Sequence, residues 1–189
     1  MCNHTTSNHT TSNHTMREHY AIYLEPEKVT PVSIQFRLVK DETDLPQLIE
    51  LAKEAHQESR FRAIDFSADK VRKTALSALK NPKRHGVMLA ERQGQPVGFA
   101  HCSIGEYHIG TGALLATIHN INVRRDVRCG LGGGRIALGL FKGIETWSQA
   151  RGAQEVLLHV TSGSHLAQAH KLAKRIGFTL IGGSYAKVI

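Results

Sequence analysis

Hydrophobic and polar positions alternate from residue 33 in SIQFRLV, which predicts that the folded part of the chain begins with a strand. Apolar residues then recur at helical spacing and predict a helix. Thr43 or Asp44 is its expected capping residue, and Pro46 lies near its first turn. A second helix is predicted after Ser67, ending near Asn81. The apolar face of the first helix comprises Leu45, Leu48, Ile49, Leu51 and Ala52.

Three β-like runs follow the two helices. GVMLAER and PVGFAHCSI are joined by QGQ and are predicted to be antiparallel neighbours, and LLATIHNINV, residues 114–123, is predicted to be the next strand. After this strand, one helical stripe carries the apolar residues of a long helix that ends near Gly152. The stripe comprises Ile136, Leu140, Ile144 and Trp147.

The last part of the chain predicts one more strand, helix and strand. They are EVLLHV, a helix from about His165 to Ile176, and TLIGGSYAKV. The whole order is β-α-α-β-β-β-α-β-α-β. It predicts an α/β (α+β) fold with a mixed, mostly antiparallel central sheet flanked by helices on both faces.

The chain has 189 residues, 41% of them hydrophobic, enough for one domain and a tail. We assign residues 33–189 to the domain and residues 1–32 to an N-terminal extension. Within the extension, residues 3–15 repeat a short polar unit, NHTTS, that has no large apolar side chain to bury. This repeat predicts a disordered tail.

A net charge of +8 and a pI near 9.6 predict an anionic partner, either nucleic acid, a membrane surface or a phosphorylated cofactor. Aromatic residues make up only 6% of the chain, which disfavours nucleic acid. The three cysteines have no CxxC spacing, so neither a disulfide framework nor a metal site is predicted. No apolar run has membrane-spanning length. We therefore expect a soluble, cytoplasmic protein with no membrane partner and no bound metal.

Four glycines fall within residues 130–134, directly after Arg124, Arg125 and Arg128. They lie between a predicted strand and a predicted helix. Backbone N–H groups of a glycine loop and of a helix N-terminus are suited to bind an anion such as phosphate. The Walker loop is excluded because Gly134 is followed by Arg135 rather than Lys, and the dinucleotide fingerprint fits only if surplus glycines are ignored.

The hairpin, the strand ending in Val123, the arginine and glycine loop, the long helix and the closing Gly177-Phe178 together resemble the GNAT superfamily of N-acetyltransferases. The resemblance covers roughly residues 34–189 and implies acetyl-CoA as the cofactor. In the family, the motif Arg/Gln-x-x-Gly-x-Gly/Ala holds the pyrophosphate of coenzyme A. Counting from Val123 places its arginine at Arg128 and its glycine positions at Leu131 and Gly133. A shift by one aligns Gly130 and Gly132 instead, with Val127 in place of the arginine.

The resemblance also implies residues for the rest of the site. The backbone of Ile121 and Val123 would hold the pantetheine arm and the acetyl carbonyl. His119, four residues before Val123, occupies the position of the general base, and it shares strand parity with Ile121 and Val123 unless a bulge intervenes. The cofactor-binding set implied is Ile121, Val123, Arg128, Cys129, Gly130, Leu131, Gly132, Gly133, Gly134 and Ala169.

Two departures from the family leave alternatives open. The position of the usual acid, a tyrosine, holds Ala173, so that water or a hydroxyl of Ser162, Ser164 or Tyr185 would protonate the leaving thiolate. His119 is equally compatible with a histidine that packs in the hairpin and has no catalytic role.

The predicted function is transfer of an acetyl group from acetyl-CoA to an amine of a small molecule or peptide, with a homodimer as the possible assembly. The alternative is a catalytically idle acyl-CoA-binding module. Thiol release with a panel of amines separates the two.

Deletion of residues 1–15 should leave both the melting temperature and the affinity for CoA unchanged, because the repeat offers nothing to pack. Thermal unfolding and calorimetric titration of the shortened chain test this expectation. A clear loss of either would show that the tail docks on the domain.

Overall fold

The fold is described by a computed structural model in which residues 33–129, 132–163 and 166–187 are placed. The predicted tail at residues 3–15, the loop residues Gly130 and Leu131, and the predicted helix start at His165 lie outside the described residues.

The described chain contains five strands and five α-helices, in an order that follows the sequence prediction closely. A single 3-10 turn, Glu42–Asp44, precedes the first helix. The strands are β1 (Ile34–Leu38), β2 (His85–Arg92), β3 (Gln95–Glu106), β4 (Leu114–Val123) and β5 (Ala153–Leu158). The helices are α1 (Leu45–Glu58), α2 (Ala68–Lys80), α3 (Arg125–Arg128), α4 (Gly133–Gln149) and α5 (Leu166–Arg175).

The strands form one mixed sheet in the order β1-β2-β3-β4-β5. The pairs β1–β2, β2–β3 and β3–β4 are antiparallel, and the pair β4–β5 is parallel. This arrangement confirms the predicted mixed, mostly antiparallel sheet. Registered pairs between β4 and β5 end at Ile118 and Leu158, five residues before β4 itself ends at Val123.

Helices cover both faces of the sheet, as predicted. On one face, α1 and α2 pack against Val87, Leu89 and Phe99 of the sheet. On the other face, α4 packs its apolar stripe against the sheet, with α5 contributing Leu172. The predicted stripe is confirmed, because Ile136, Leu140, Ile144 and Trp147 are all buried. None of the described helices is long and apolar enough to cross a membrane.

The start of α1 differs from the sequence prediction in one respect. Asp44 is the residue before the helix, but its side chain does not cap the helix. Its carboxylate instead accepts hydrogen bonds from Arg37, whose Nη2 lies 2.6 Å from Asp44 Oδ1 and 2.6 Å from Glu91 Oε1. The bond from Arg37 lowers the pKa of Asp44, so this carboxylate stays charged and ties the start of α1 to the β1–β2 pair.

Close contact between α4 and the sheet depends on two glycines spaced i,i+4 on the helix, Gly139 and Gly143. A Cβ on Gly139 would lie 2.0 Å from Cζ of Phe36, and one on Gly143 would lie 2.3 Å from Sδ of Met88. The ring of Phe36 is partly exposed and has room to move, whereas Met88 is buried. Gly143 is therefore the stricter requirement.

The predicted last strand, TLIGGSYAKV, is wrong for the part that the structure describes. Residues 179–187 form no strand there, and Leu180 and Ile181 are 70% and 77% exposed. Two glycines in the middle of the segment, Gly182 and Gly183, weaken a strand because they have no side chain to pack and lose the most backbone entropy.

Gly143→Ala should lower the free energy of unfolding by about 1–3 kcal/mol, because overpacking costs that much and exceeds the gain of up to about 1 kcal/mol in helix propensity. Gly134→Ala is the matched control on the same helix, since a Cβ there meets nothing within 4 Å. Urea denaturation of both variants measures the difference. Equal stability of the two would contradict the close packing.

Candidate functional site

A bulge in β4 sets the direction of His119. In the register with β3, Ile118 pairs with Cys102 and Asn120 pairs with His101, so His119 is the extra residue between them. Ile121 and Val123 pack in the core beside α4 with Ile118, whereas His119 lies on the opposite face. The bulge that was the stated exception is present, so His119 does not share a face with Ile121 and Val123, because strand parity changes at a bulge.

On its own face, His119 contacts two residues of β3. Its Nε2 lies 2.7 Å from Oγ of Ser103, and its ring centroid lies 4.9 Å from that of His101, tilted by 30°. The register also places His85 of β2 opposite Ser103, and His159 follows directly after β5. Four histidines from four neighbouring strands or strand ends therefore form a row across the sheet, His85, His101, His119 and His159.

Burial keeps the two stacked rings neutral. Desolvation lowers the pKa of His101 to about 4, with His119 and His85 adding to the shift. Desolvation also lowers the pKa of His119, followed by the effect of His159 and His85. At pH 7 the rings of His101 and His119 are therefore neutral imidazoles. Within the described ranges, no group of three or more histidine, cysteine or acidic side chains could hold a metal ion.

The C-terminal part of β4 is open on the side of β5. Because the registered pairs with β5 end at Ile118, the backbone from His119 to Val123 has no strand partner on that edge in the described part of the chain. Ile121 is half-buried and Val123 is 5% exposed, so their side chains anchor this segment in the core. The exposed edge leaves backbone N–H and C=O groups available to an extended ligand.

The arginines after β4 form a short helix, α3, where the sequence predicted only a loop. Arg124 N donates to Val97 O at 2.8 Å and its Nε donates to Asp126 Oδ1 at 2.9 Å. Arg128 forms an ion pair of 2.8 Å with Glu58. Cys129, which follows α3, is exposed.

The three described glycines after α3 have different surroundings. Gly132 precedes α4 with a φ of −80°, and a Cβ there meets nothing within 4 Å. A Cβ on Gly133 would lie 2.4 Å from the carbonyl oxygen of Arg128, so Gly133 is needed for the close approach of α3 and α4. A Cβ on Gly134 also meets nothing. Among the described residues, nothing therefore occupies the space beside Gly132 and Gly134, and the N–H groups of the first turn of α4 have no partner within the helix.

Beyond Ile118 and Leu158, β4 and β5 no longer pair, and we call the gap between them the opening. The segment after α1 borders this opening. Arg60 N donates to Ser162 O at 2.7 Å, and the side chain of Arg60 lies against Gly163. Phe61 is 41% exposed and has the guanidinium of Arg60 over its ring at 5.3 Å. The α1–α2 segment therefore contacts the loop that follows β5.

Helix α5 carries the remaining predicted positions. Ala169 and Ala173 are half-buried. Ala173 lines a cavity of about 1170 Å³ between α4, β5, α5 and the C-terminal segment. Of the hydroxyl groups considered as the acid, Tyr185 is 99% exposed, Ser162 lies in the loop contacted by Arg60, and Ser164 is outside the described residues.

Sequence reasoning missed Ser103, His101 and the partner of Arg128. His101 and Ser103 are two residues apart on β3, a spacing that predicts a shared face. Their position next to His119 depends on the register and the bulge, which no local pattern reveals. Glu58 is paired with Arg128 across the fold, a contact that no local sequence pattern indicates.

Comparison with known proteins agrees with this architecture. The model of the acetyltransferase (GNAT) family matches residues 45–178. No curated protein sequence matches the chain significantly.

Solved structures share the fold at low sequence identity. An aminoglycoside N-acetyltransferase, AAC(6')-Iy, in complex with CoA has a TM-score of 0.67 and 16% identity, covering 85% of this chain and 97% of its own. A ribosomal-protein-alanine N-acetyltransferase from Brucella melitensis biovar Abortus 2308 has a TM-score of 0.62 and 16% identity, covering 83% and 99%. A predicted acetyltransferase with acetyl-CoA from Clostridium acetobutylicum has a TM-score of 0.61 and 15% identity, covering 83% and 96%.

Proposed function

The chain belongs to the acetyltransferase (GNAT) family, and on that premise we propose that it acetylates a primary amine of a small molecule or peptide, with His119 as the base. It is an acetyl-CoA-dependent N-acetyltransferase, and acetyl-CoA is its cofactor. The observation that supports the proposal is that three features lie next to the point beyond Ile118 and Leu158 where β4 and β5 no longer pair. They are the edge of β4 that has no partner strand among the described residues, the Ser103–His119 pair and the N-terminus of α4.

The cofactor side of the opening is built from backbone. Acetyl-CoA supplies a thioester carbonyl and a pyrophosphate when bound. The free edge from Ile121 to Val123 would hydrogen-bond the pantetheine arm, and an N–H there would stabilise the developing oxyanion. The N–H groups at Gly132, Gly133 and Gly134 would hold the pyrophosphate, because they combine unpaired donors with the positive end of the α4 dipole.

The acceptor side of the opening is built from the histidine row. A neutral His119 accepts the proton that the ammonium must lose before the amine can attack the thioester. With Ser103 Oγ–H donating to Nε2, the ring proton is on Nδ1, and the amine proton reaches Nε2 through the Ser103 hydroxyl. His101 stays neutral beside it and packs against its ring, so it holds the ring in place without adding a repulsive charge.

The leaving group needs little help from an acid. A free cysteine thiol has a pKa of about 8.5, and a thiolate of this kind leaves with little help near neutral pH. Ala173 has no proton to donate, and we propose that water protonates the thiolate.

Gly132→Val should weaken the binding of acetyl-CoA at least about tenfold, because a branched side chain would occupy the space in front of α4 that the pyrophosphate needs. The fold should survive, since the added Cβ meets nothing within 4 Å. Gly105→Val is the control, because its Cβ also meets nothing and it lies near the far end of β3. Unchanged affinity in a folded Gly132→Val protein, measured by calorimetry, would exclude the loop as the pyrophosphate site.

His119→Ala should reduce kcat/KM by about a hundredfold, a usual contribution of a general base. In the wild type, kcat/KM should rise with pH through the pKa of His119, because only the neutral ring accepts a proton. Burial and the neighbouring histidines lower that pKa. The rising limb should therefore lie at a lower pH than the value of about 6.5 expected for an unperturbed histidine.

The control for this prediction is His170→Ala, an exposed histidine of α5 outside the row. It should keep both the rate and the pH profile. Full activity of His119→Ala with an unaltered pH profile would show that the base is another group.

A further inference from the structure

Glu58, the last residue of α1, is paired with the arginine that precedes the glycine loop. Its Oε2 lies 2.8 Å from Nη1 of Arg128, and the two side chains are 25% and 30% exposed. The same Nη1 lies 3.4 Å from the carbonyl oxygen of Val123, the last residue of β4. The end of α1 is thus held at the junction between β4 and α4.

Two residues further on, the same segment is attached to the opposite side of the opening. Arg60 N donates to Ser162 O at 2.7 Å, and the Arg60 side chain packs on Gly163. The stretch from Glu58 to Arg60 therefore bridges the loop after β4 and the loop after β5. The strands before these two loops, β4 and β5, no longer pair beyond Ile118 and Leu158.

We propose that Glu58 is a positioning residue that couples the pyrophosphate loop to the α1–α2 segment. The inference rests on the proposed function, in which a pyrophosphate binds in front of α4. A phosphate there and the Glu58 carboxylate are both anions and compete for the guanidinium of Arg128. The ion pair holds the segment in place and opposes the binding of CoA, and bound CoA in turn loosens the segment.

The coupling is reciprocal because it is a difference in binding free energy. Loss of the Glu58 charge should therefore have two opposite effects. CoA should bind more tightly, since Arg128 is released and a nearby negative charge is removed. The amine should bind less tightly, since the segment that borders the opening keeps only its attachment through Arg60.

The experiment measures the Kd of CoA by calorimetry for the full chain and four variants, Glu58→Gln, Arg128→Gln, the double variant and Glu54→Gln. Glu58→Gln should lower the Kd about threefold to fivefold, the size expected for a partly exposed ion pair. Arg128→Gln should raise the Kd. In a protein that already carries Arg128→Gln, adding Glu58→Gln should change the Kd of CoA by less than about twofold, because the guanidinium for which Glu58 and CoA compete is gone.

Glu54→Gln is the matched control, since Glu54 lies one turn earlier on α1 and acts on Arg124 instead. Its Kd should stay within about twofold of the wild type. Steady-state kinetics add a second readout. Glu58→Gln should raise the KM of the amine several-fold with kcat nearly unchanged, a split that a simple loss of stability would not produce.

The outcomes separate the coupling from the function on which it rests. An unchanged Kd in Glu58→Gln, an increase like that of Arg128→Gln, or an unchanged KM would overturn the coupling alone. Failure of the wild type to bind CoA would overturn the proposed site and the coupling with it.

Discussion

The close contact of α4 with the sheet is the constraint on which the rest of the structure depends. It requires small residues on both sides, Gly143 on the helix and Gly98 on β3, where an added Cβ would lie 3.3 Å from Cγ2 of Ile136 and 3.4 Å from Cδ1 of Leu140. The N-terminus of α4 follows the end of β4 after the short helix α3 and the glycine loop. An anion bound at the helix start and a chain bound along the free edge of β4 can therefore belong to one ligand.

The two parts of β4 have different tasks because their hydrogen bonds differ. As far as Ile118 the strand is paired on both edges and its apolar side chains form the core. Beyond that point one edge has no partner strand among the described residues, and the bulge at His119 reverses the side-chain parity. One strand thus presents backbone to the edge, apolar side chains to α4, and an imidazole to the face that α1 and α2 cover. A regular strand paired throughout could not present all three.

How far the sequence predicts this arrangement depends on the range of each interaction. The strands and helices were predictable because alternation and helical stripes record which side chains face the core, as with Leu140 and Ile144 of α4. The bulge was not, since it depends on which residue of β3 pairs with Ile118, a property of two strands together. The ion pair between Glu58 and Arg128 joins positions seventy residues apart, and no local pattern connects them. The prediction of a last strand was wrong because a sequence pattern alone does not supply a partner strand.

The arginines and glycines at the junction of β4 and α4 do not contribute equally to an anion site. Arg124 is paired with Asp126 and Arg128 with Glu58, so two of the three arginines ahead of the glycines already have carboxylate partners. Arg125 and Arg135 are exposed, where solvent and salt screen their charge. Within the described part of the chain, no carboxylate is paired with the N–H groups of the first turn of α4, and Gly132 has no Cβ to block the approach of the proposed ligand. In the proposed site, the glycines should therefore matter more for affinity than the count of positive charges suggests, and Arg128 should contribute to the extent that it is released from Glu58.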